Sequence, residues 1–168
     1  RQMCIRDRYS IITLMAIAML FPITAFAQAY VQTWDLVDSG KHLDYDKNST
    51  YMSYINTGAA TWNAYKSGVI RKDSAFVVED VYVSDVNASN GWAGMTYSSG
   101  KIELNTYYMS GYSNSKKQNV ATHELGHALG LDHSTSTDVM DAAITGHTST
   151  QALSQNDKDS YDAAYNNY

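Results

Sequence analysis

His123-Glu-Leu-Gly-His127-Ala-Leu-Gly130-Leu-Asp-His133 is the stretch on which the reading of this chain turns. Residues four apart lie one above the other on a helix, so His123 and His127 present their rings on the same face. Glu124 sits beside the first ring. Gly130, three residues past the second, can end the helix and let the chain swing His133 back. Three neutral imidazoles and one carboxylate then surround a single point, the donor set of a catalytic zinc whose fourth position stays open. With five positions fixed and uniform residue usage, such a match arises about 3 × 10⁻⁷ times per start point, so an ordinary amphipathic helix with exposed histidines is the weaker reading. Three of the chain's five histidines fall inside the stretch.

The helix that carries this motif is predicted over residues 117–129. Before it, Lys101-Ile-Glu-Leu-Asn105 alternates polar and apolar side chains as a half-buried strand does, and residues 106–109 read as its extension. Residues 92–97 read as a short strand ended by Ser98-Ser-Gly100. Residues 81–84, 41–45 and 31–37 read as further strands. Ser49 or Thr50 is placed to cap a helix over 51–66, whose apolar positions Tyr54, Ile55, Ala59, Trp62 and Tyr65 recur near helical spacing. We assign Trp62 and Tyr65 to the core rather than to a site. At the far end, Ser154 and Asp157 stand in capping-box register and open a helix to about Tyr165. Strands and helices mix, with the motif helix after the last strand. The expected class is α+β, a twisted sheet with helices packed on it.

Residues 1–27 read as an N-terminal extension and secretory signal peptide. Arg6 and Arg8 precede an apolar run over 11–21, which ends in Ala25-Phe-Ala27. The run is short against the ~20 residues of a bilayer span. Residues 28–168 are expected to form a single catalytic domain, secreted and extracellular, with no stable membrane association after cleavage. The chain's net charge is −5, and the first 27 residues take three arginines and one aspartate with them. An acidic chain without a Lys/Arg cluster speaks against nucleic acid as a partner. The one cysteine lies at position 4, so neither a disulfide nor a thiolate metal ligand is available within 28–168.

At these residues the chain resembles the metzincin zinc metallopeptidases, and most of all a small bacterial matrixin-type peptidase. His123 through His133 match the long zinc motif, and Ser134 after the third histidine is matrixin-like. Val139-Met140-Asp141 stands where the family has its Met-turn. Lys101–Asn105 resembles the strand before the catalytic helix, and residues 153–165 resemble the final helix. The resemblance implies a mixed sheet of about five strands with three helices. It implies one catalytic Zn²⁺ held by His123, His127 and His133, Glu124 as general base, and Met140 as a hydrophobic floor. It also implies that Trp92, Ala93, Gly94, Met95, Thr96 and Tyr97 form the edge strand that receives substrate. Read by themselves, those six residues also suit an interior strand with a glycine bulge. Ala142, two past Met140, replaces the tyrosine ligand of astacin-like and serralysin-like relatives. The loop over 84–92 has no histidine for a second, structural zinc. Calcium is compatible with the resemblance but is not readable from the residues.

The expected chemistry follows from the donor set. Zinc on three neutral imidazoles keeps its charge and lowers the pKa of a bound water to ~7. Glu124 accepts that proton and then returns it to the leaving nitrogen. Substrate would be an extended peptide or protein added along an exposed sheet edge, where Ala93 and Gly94 let a backbone approach closely. Residues 141–146, mostly small, would wall the specificity pocket. Asp141 is either a partner of a ligand histidine or a surface residue, and we favour the surface. His42 and His147 read as strand or loop histidines. A monomer is expected. Two other classes fit the same motif less well: a secreted zinc-binding or adhesion module without catalysis, which has no need of Glu124, and a zinc hydrolase acting on a non-peptide bond.

Overall fold

A computed structural model describes residues 28–74 and 78–168. The signal-peptide reading of residues 1–27 lies outside the described residues. Among them, no helix is long and apolar enough to cross a membrane.

Five strands form one mixed sheet: β1 (Leu43–Asn48), β2 (Ile70–Lys72), β3 (Val81–Val86), β4 (Gly94–Tyr97) and β5 (Lys101–Asn105). Their order across the sheet is β2-β1-β3-β5-β4. Strands β2, β1, β3 and β5 run parallel, and β4 pairs antiparallel with β5. The parallel pairs need crossovers, and helix α1 (Met52–Tyr65) supplies the long one between β1 and β2. The antiparallel pair needs only the turn at Gly100, whose φ of +85° suits glycine. β4 is therefore an edge, which decides between the two readings of that segment.

Helices α1 and α3 (Asn114–Ala128) pack on each other over the sheet. Ile55 and Trp62 of α1, Leu125 of α3, and Leu43, Val81, Val83, Ile102 and Leu104 of the strands are all fully buried. A Cβ at Gly58 would lie 3.1 Å from both Leu125 Cδ1 and Thr122 Cα, so glycine there sets how closely α1 and α3 approach. The indole of Trp62 donates to the Thr122 carbonyl at 2.9 Å and meets Tyr161 of α4 (Gln155–Tyr165) edge-on, ring centroids 5.5 Å apart. Trp62 is core as expected, whereas Tyr65 sits at the surface and donates to Asp162.

Several local expectations change. Residues 31–37 form no strand. Only Val31 makes a bridge, to Leu131, while Gln32 and Leu36 donate to the carbonyls of Gly130 and Ala128. The segment's backbone groups serve the end of the motif helix, not the sheet. The strand read at 41–45 starts at Leu43 and continues to Asn48, and β2, three residues long, went unread. Neither Ser49 nor Thr50 caps α1, because the helix starts later, behind Tyr51; the two hydroxyls donate to Asp85, and Ser49 accepts only the amide of Tyr51 itself. Thr106–Met109 is not strand but one helical turn, α2, because the Asn105 side chain accepts from the Tyr107 amide and starts a helix. The motif helix begins earlier than predicted, at Asn114, behind an N-cap at Ser113. The capping box of Ser154 and Asp157 is present and opens α4.

Candidate metal and active site

Helix α3 brings His123, Glu124 and His127 to the floor of a cleft, and all three are buried. The helix then stops in a Schellman turn. The amide of Gly130 donates to the His127 carbonyl at 2.9 Å, and that of Leu131 to the Gly126 carbonyl at 3.0 Å. Gly130 takes φ +84°, a conformation that a residue with a Cβ rarely adopts. The reversal carries His133 back over the helix. One ring nitrogen from each of His123, His127 and His133 lies within 4.8 Å of the others, and the ring centroids are 4.6–5.2 Å apart.

The donor set fits a divalent cation. Nδ1 of His123 faces the Val139 carbonyl at 2.8 Å, and Nδ1 of His127 faces the Leu131 carbonyl at 2.8 Å. A carbonyl only accepts, so both Nδ1 atoms carry the proton and both Nε2 lone pairs are bare. Burial, with the neighbouring histidines adding to it, pushes His123 down to about 3; burial foremost pushes His127 down to about 4. Both rings are therefore neutral, as metal ligands must be. Nε2 of His127 and Nε2 of His133 stand 3.2 Å apart. That distance lets one cation be held by both nitrogens, with the His123 ring closing the set.

Other elements hold these histidines. Met140 is buried, and its sulfur packs against α3 at Gly126, where a Cβ would collide with it and with Trp62. It thus lies under the turn that carries the two helical histidines. The turn that contains Met140 is tied down from two sides. Asp157 accepts the amides of Val139 and Met140 at 2.9 and 3.1 Å, and Ser134 donates to the Met140 carbonyl. Gln32 is a neighbour that the sequence did not reveal. Its amide nitrogen lies 2.9 Å from His127 Nδ1, while its oxygen is buried without a partner; the amide turned over would set that oxygen on the Nδ1 proton that Leu131 also accepts.

Glu124 lines the same cleft. Burial raises its carboxyl to about 7, against the lowering effect of a hydrogen bond from Thr96. A cavity of about 470 Å³ opens over these groups, with Trp92, Ala93, Gly94, Met95 and Thr96 along one side and Ala142, Ile144 and Thr145 along another. Tyr97 does not join them; its hydroxyl donates to Glu103 at 2.9 Å. The strand proper starts at Gly94, and Trp92 and Ala93 lead into it. Gly94 does not leave space for substrate as expected. Its missing side chain is where Glu124 sits.

Asp141 is not at the surface. It is buried, accepts the Ala143 amide, and pairs with His147 Nε2 at 2.8 Å, so it makes no hydrogen bond to a candidate ligand. Among the described residues one further group, Asp38, Asp44 and Asp80, has metal-like proximity. There Arg71 already pairs with Asp44 at 2.8 Å, which gives the cluster a cation of its own.

A model of the matrixin family (peptidase family M10) matches residues 23–166. Archaemetzincin from Methanopyrus kandleri, a solved structure, is similar in fold at a TM-score of 0.54, with 12% identity over 77% of this chain and 99% of that one. The GM1-bound form of the ECX AB5 holotoxin aligns over 64% of this chain and 59% of that chain at 18% identity, but its TM-score of 0.42 carries no argument. No curated protein matches. The five-stranded mixed sheet, the helices laid on it and the family match agree with one another: the chain belongs to the matrixin family, and is a metzincin-type zinc metallopeptidase.

Proposed function

We propose that the chain is a secreted zinc endopeptidase that hydrolyses peptide bonds in extended peptide or protein substrates, with Glu124 as the proton-transferring group. One observation carries the reading: three imidazoles converge on a point, and the Glu124 carboxylate lines the same cavity beside a sheet edge. His123, His127 and His133 would hold the zinc, which supplies Lewis acidity toward the scissile carbonyl and toward water. Glu124 takes a proton from the attacking water and later delivers it to the leaving nitrogen, acting first as base and then as acid. Among the described residues β4 pairs only with β5, so its outer side is open for a peptide to add to the sheet as a further strand with its carbonyl carried past Glu124. Secretion is supported by the basic start, apolar run and Ala-x-Ala end of residues 1–27.

The test compares wild type with Glu124→Ala on quenched peptides and casein, with zinc content measured on the same samples. Cleavage by wild type, lost about 10²–10⁴-fold in the variant while zinc is retained, is the expected result. Cleavage by neither protein, or equally by both, rejects the proposed role. The intact mass of secreted material should place its first residue near Gln28, and a species that keeps residues 11–21 rejects the secretion reading.

A further inference from the structure

Successive side chains of a strand point to opposite faces, so Gly94 and Thr96 share one face of β4 while Met95 and Tyr97 share the other. Both residues of the first face meet the same side chain. A Cβ at position 94 would lie 2.6 Å from Glu124 Oε1 and 2.7 Å from its Cγ, closer than real atoms come. The Thr96 hydroxyl lies 2.7 Å from Glu124 Oε2 and 2.9 Å from the backbone carbonyl of the same residue. Among the described residues, Thr96 is the only hydrogen-bond partner of that carboxylate. One face of the edge strand is thus given over to Glu124: position 94 admits the carboxylate and position 96 grips it.

We propose that Thr96 is a positioning residue for Glu124, its hydroxyl fixing the carboxylate's rotamer within the space that Gly94 leaves. The proposal rests on the reading of Glu124 as the proton-transferring group. The physical need is plain. A glutamate has three side-chain torsions, and a carboxylate with no partner spreads over several rotamers. Proton transfer requires hydrogen-bond reach of the reacting water, and a displacement on the order of 1 Å can cost 10²-fold in rate. Thr96 also ties the base to the strand on which substrate is proposed to add, so base and peptide share one rigid reference. A role confined to substrate binding does not explain why the side chain at 96 points to the helix.

Thr96→Val keeps the shape and removes the hydroxyl; Thr96→Ser keeps the hydroxyl. With peptide substrate, Thr96→Val should lower kcat about tenfold or more. KM should stay within twofold, because the strand's backbone is unchanged. Zinc content should match wild type, the melting temperature should fall by a few degrees because the buried carboxylate loses its partner, and Thr96→Ser should recover most of the lost kcat. A crystal structure of the valine variant should show Glu124 in more than one rotamer. Should the valine variant fail to fold, Thr96→Ala is read in the same way, and Gly94→Ala gives a second measure by pushing the carboxylate from the other side. A valine variant with wild-type kcat, a loss confined to KM, or a loss that serine does not restore overturns the proposal while Glu124 keeps its role. Wild-type protein that cleaves nothing overturns the reading of Glu124 and this proposal with it.

Discussion

The Val139 carbonyl accepts from Nδ1 of His123 at 2.8 Å, and this contact ties a candidate zinc ligand on α3 to the turn that follows the third histidine. Val139 is in turn held through its amide by the buried carboxylate of Asp157. The last helix therefore reaches the metal site through one backbone unit.

Asp157→Asn is the isosteric test of that link. Asp157 accepts three amides, those of Val139, Met140 and Ser154. An amide side chain offers one acceptor atom instead of two and turns a donor toward donors. Leaving buried amides unpaired should destabilise the fold by about 2–3 kcal/mol. Loosening the carbonyl behind a ligand histidine should weaken zinc binding about 10–100-fold. Urea unfolding and competitive zinc titration measure the two effects. Unchanged zinc affinity would show that the turn holds its place without Asp157.

Gly130→Ala addresses the reversal that delivers His133. A Cβ there would lie 3.1 Å from Asp35 Cβ, on a backbone at φ +84°. Gly68 makes the control, since it has φ +81° with nothing within 4 Å of its would-be Cβ. Both alanine variants should lose about 1 kcal/mol to backbone strain. Only Gly130→Ala should also lose zinc affinity, because it alone displaces a ligand. Equal zinc affinity in the two variants would mean that His133 does not depend on the Schellman turn.

How much of this was open to a reader of the sequence depends on how local each signal is. The motif, the capping box of α4 and the alternation of β5 are encoded within a few residues, and they stand where the sequence put them. β2 has three residues and is defined only by its pairing with β1, so no periodicity announced it. Residues 31–37 look strand-like because their apolar side chains partly alternate, but the partners of Gln32 and Leu36 are the carbonyls at the end of α3. The burial of Asp141 depends on His147, the place of Gln32 on a ring 95 residues away, and the reason for glycine at 94 on Glu124. Each is a tertiary contact. Such contacts leave no trace in the spacing of one chain.

Metal removal should lower stability as well as activity. Without a cation, α3 and the turn after it lose a shared anchor. Zinc bound to the folded state alone stabilises by mass action, about 4 kcal/mol at a thousandfold excess over Kd. Dialysis against a chelator should therefore lower Tm by several degrees, and added zinc should restore it. His133→Ala should abolish tight zinc binding and make Tm insensitive to the chelator. Full zinc occupancy in that variant would reject the third ligand.

Acid stability should trace partly to Asp138. Burial pushes its carboxyl up, but hydrogen bonds from neighbouring side chains, Thr135 and Asn156 among them, outweigh burial and hold it at about 2. In the unfolded chain it titrates near ~3.9. A carboxyl depressed by folding adds stability that is fully present above the unfolded value and is lost as pH falls through the folded one. The contribution, about 3 kcal/mol at most, should thus be intact at pH 5 and largely gone near pH 2. Asp138→Asn removes the titration. Unfolding curves of both proteins at pH 5 and pH 2.5 provide the comparison, in which acid loss of zinc is common to both and cancels. The gap between wild type and variant should narrow toward acid, and a gap of constant size would assign the acid sensitivity elsewhere.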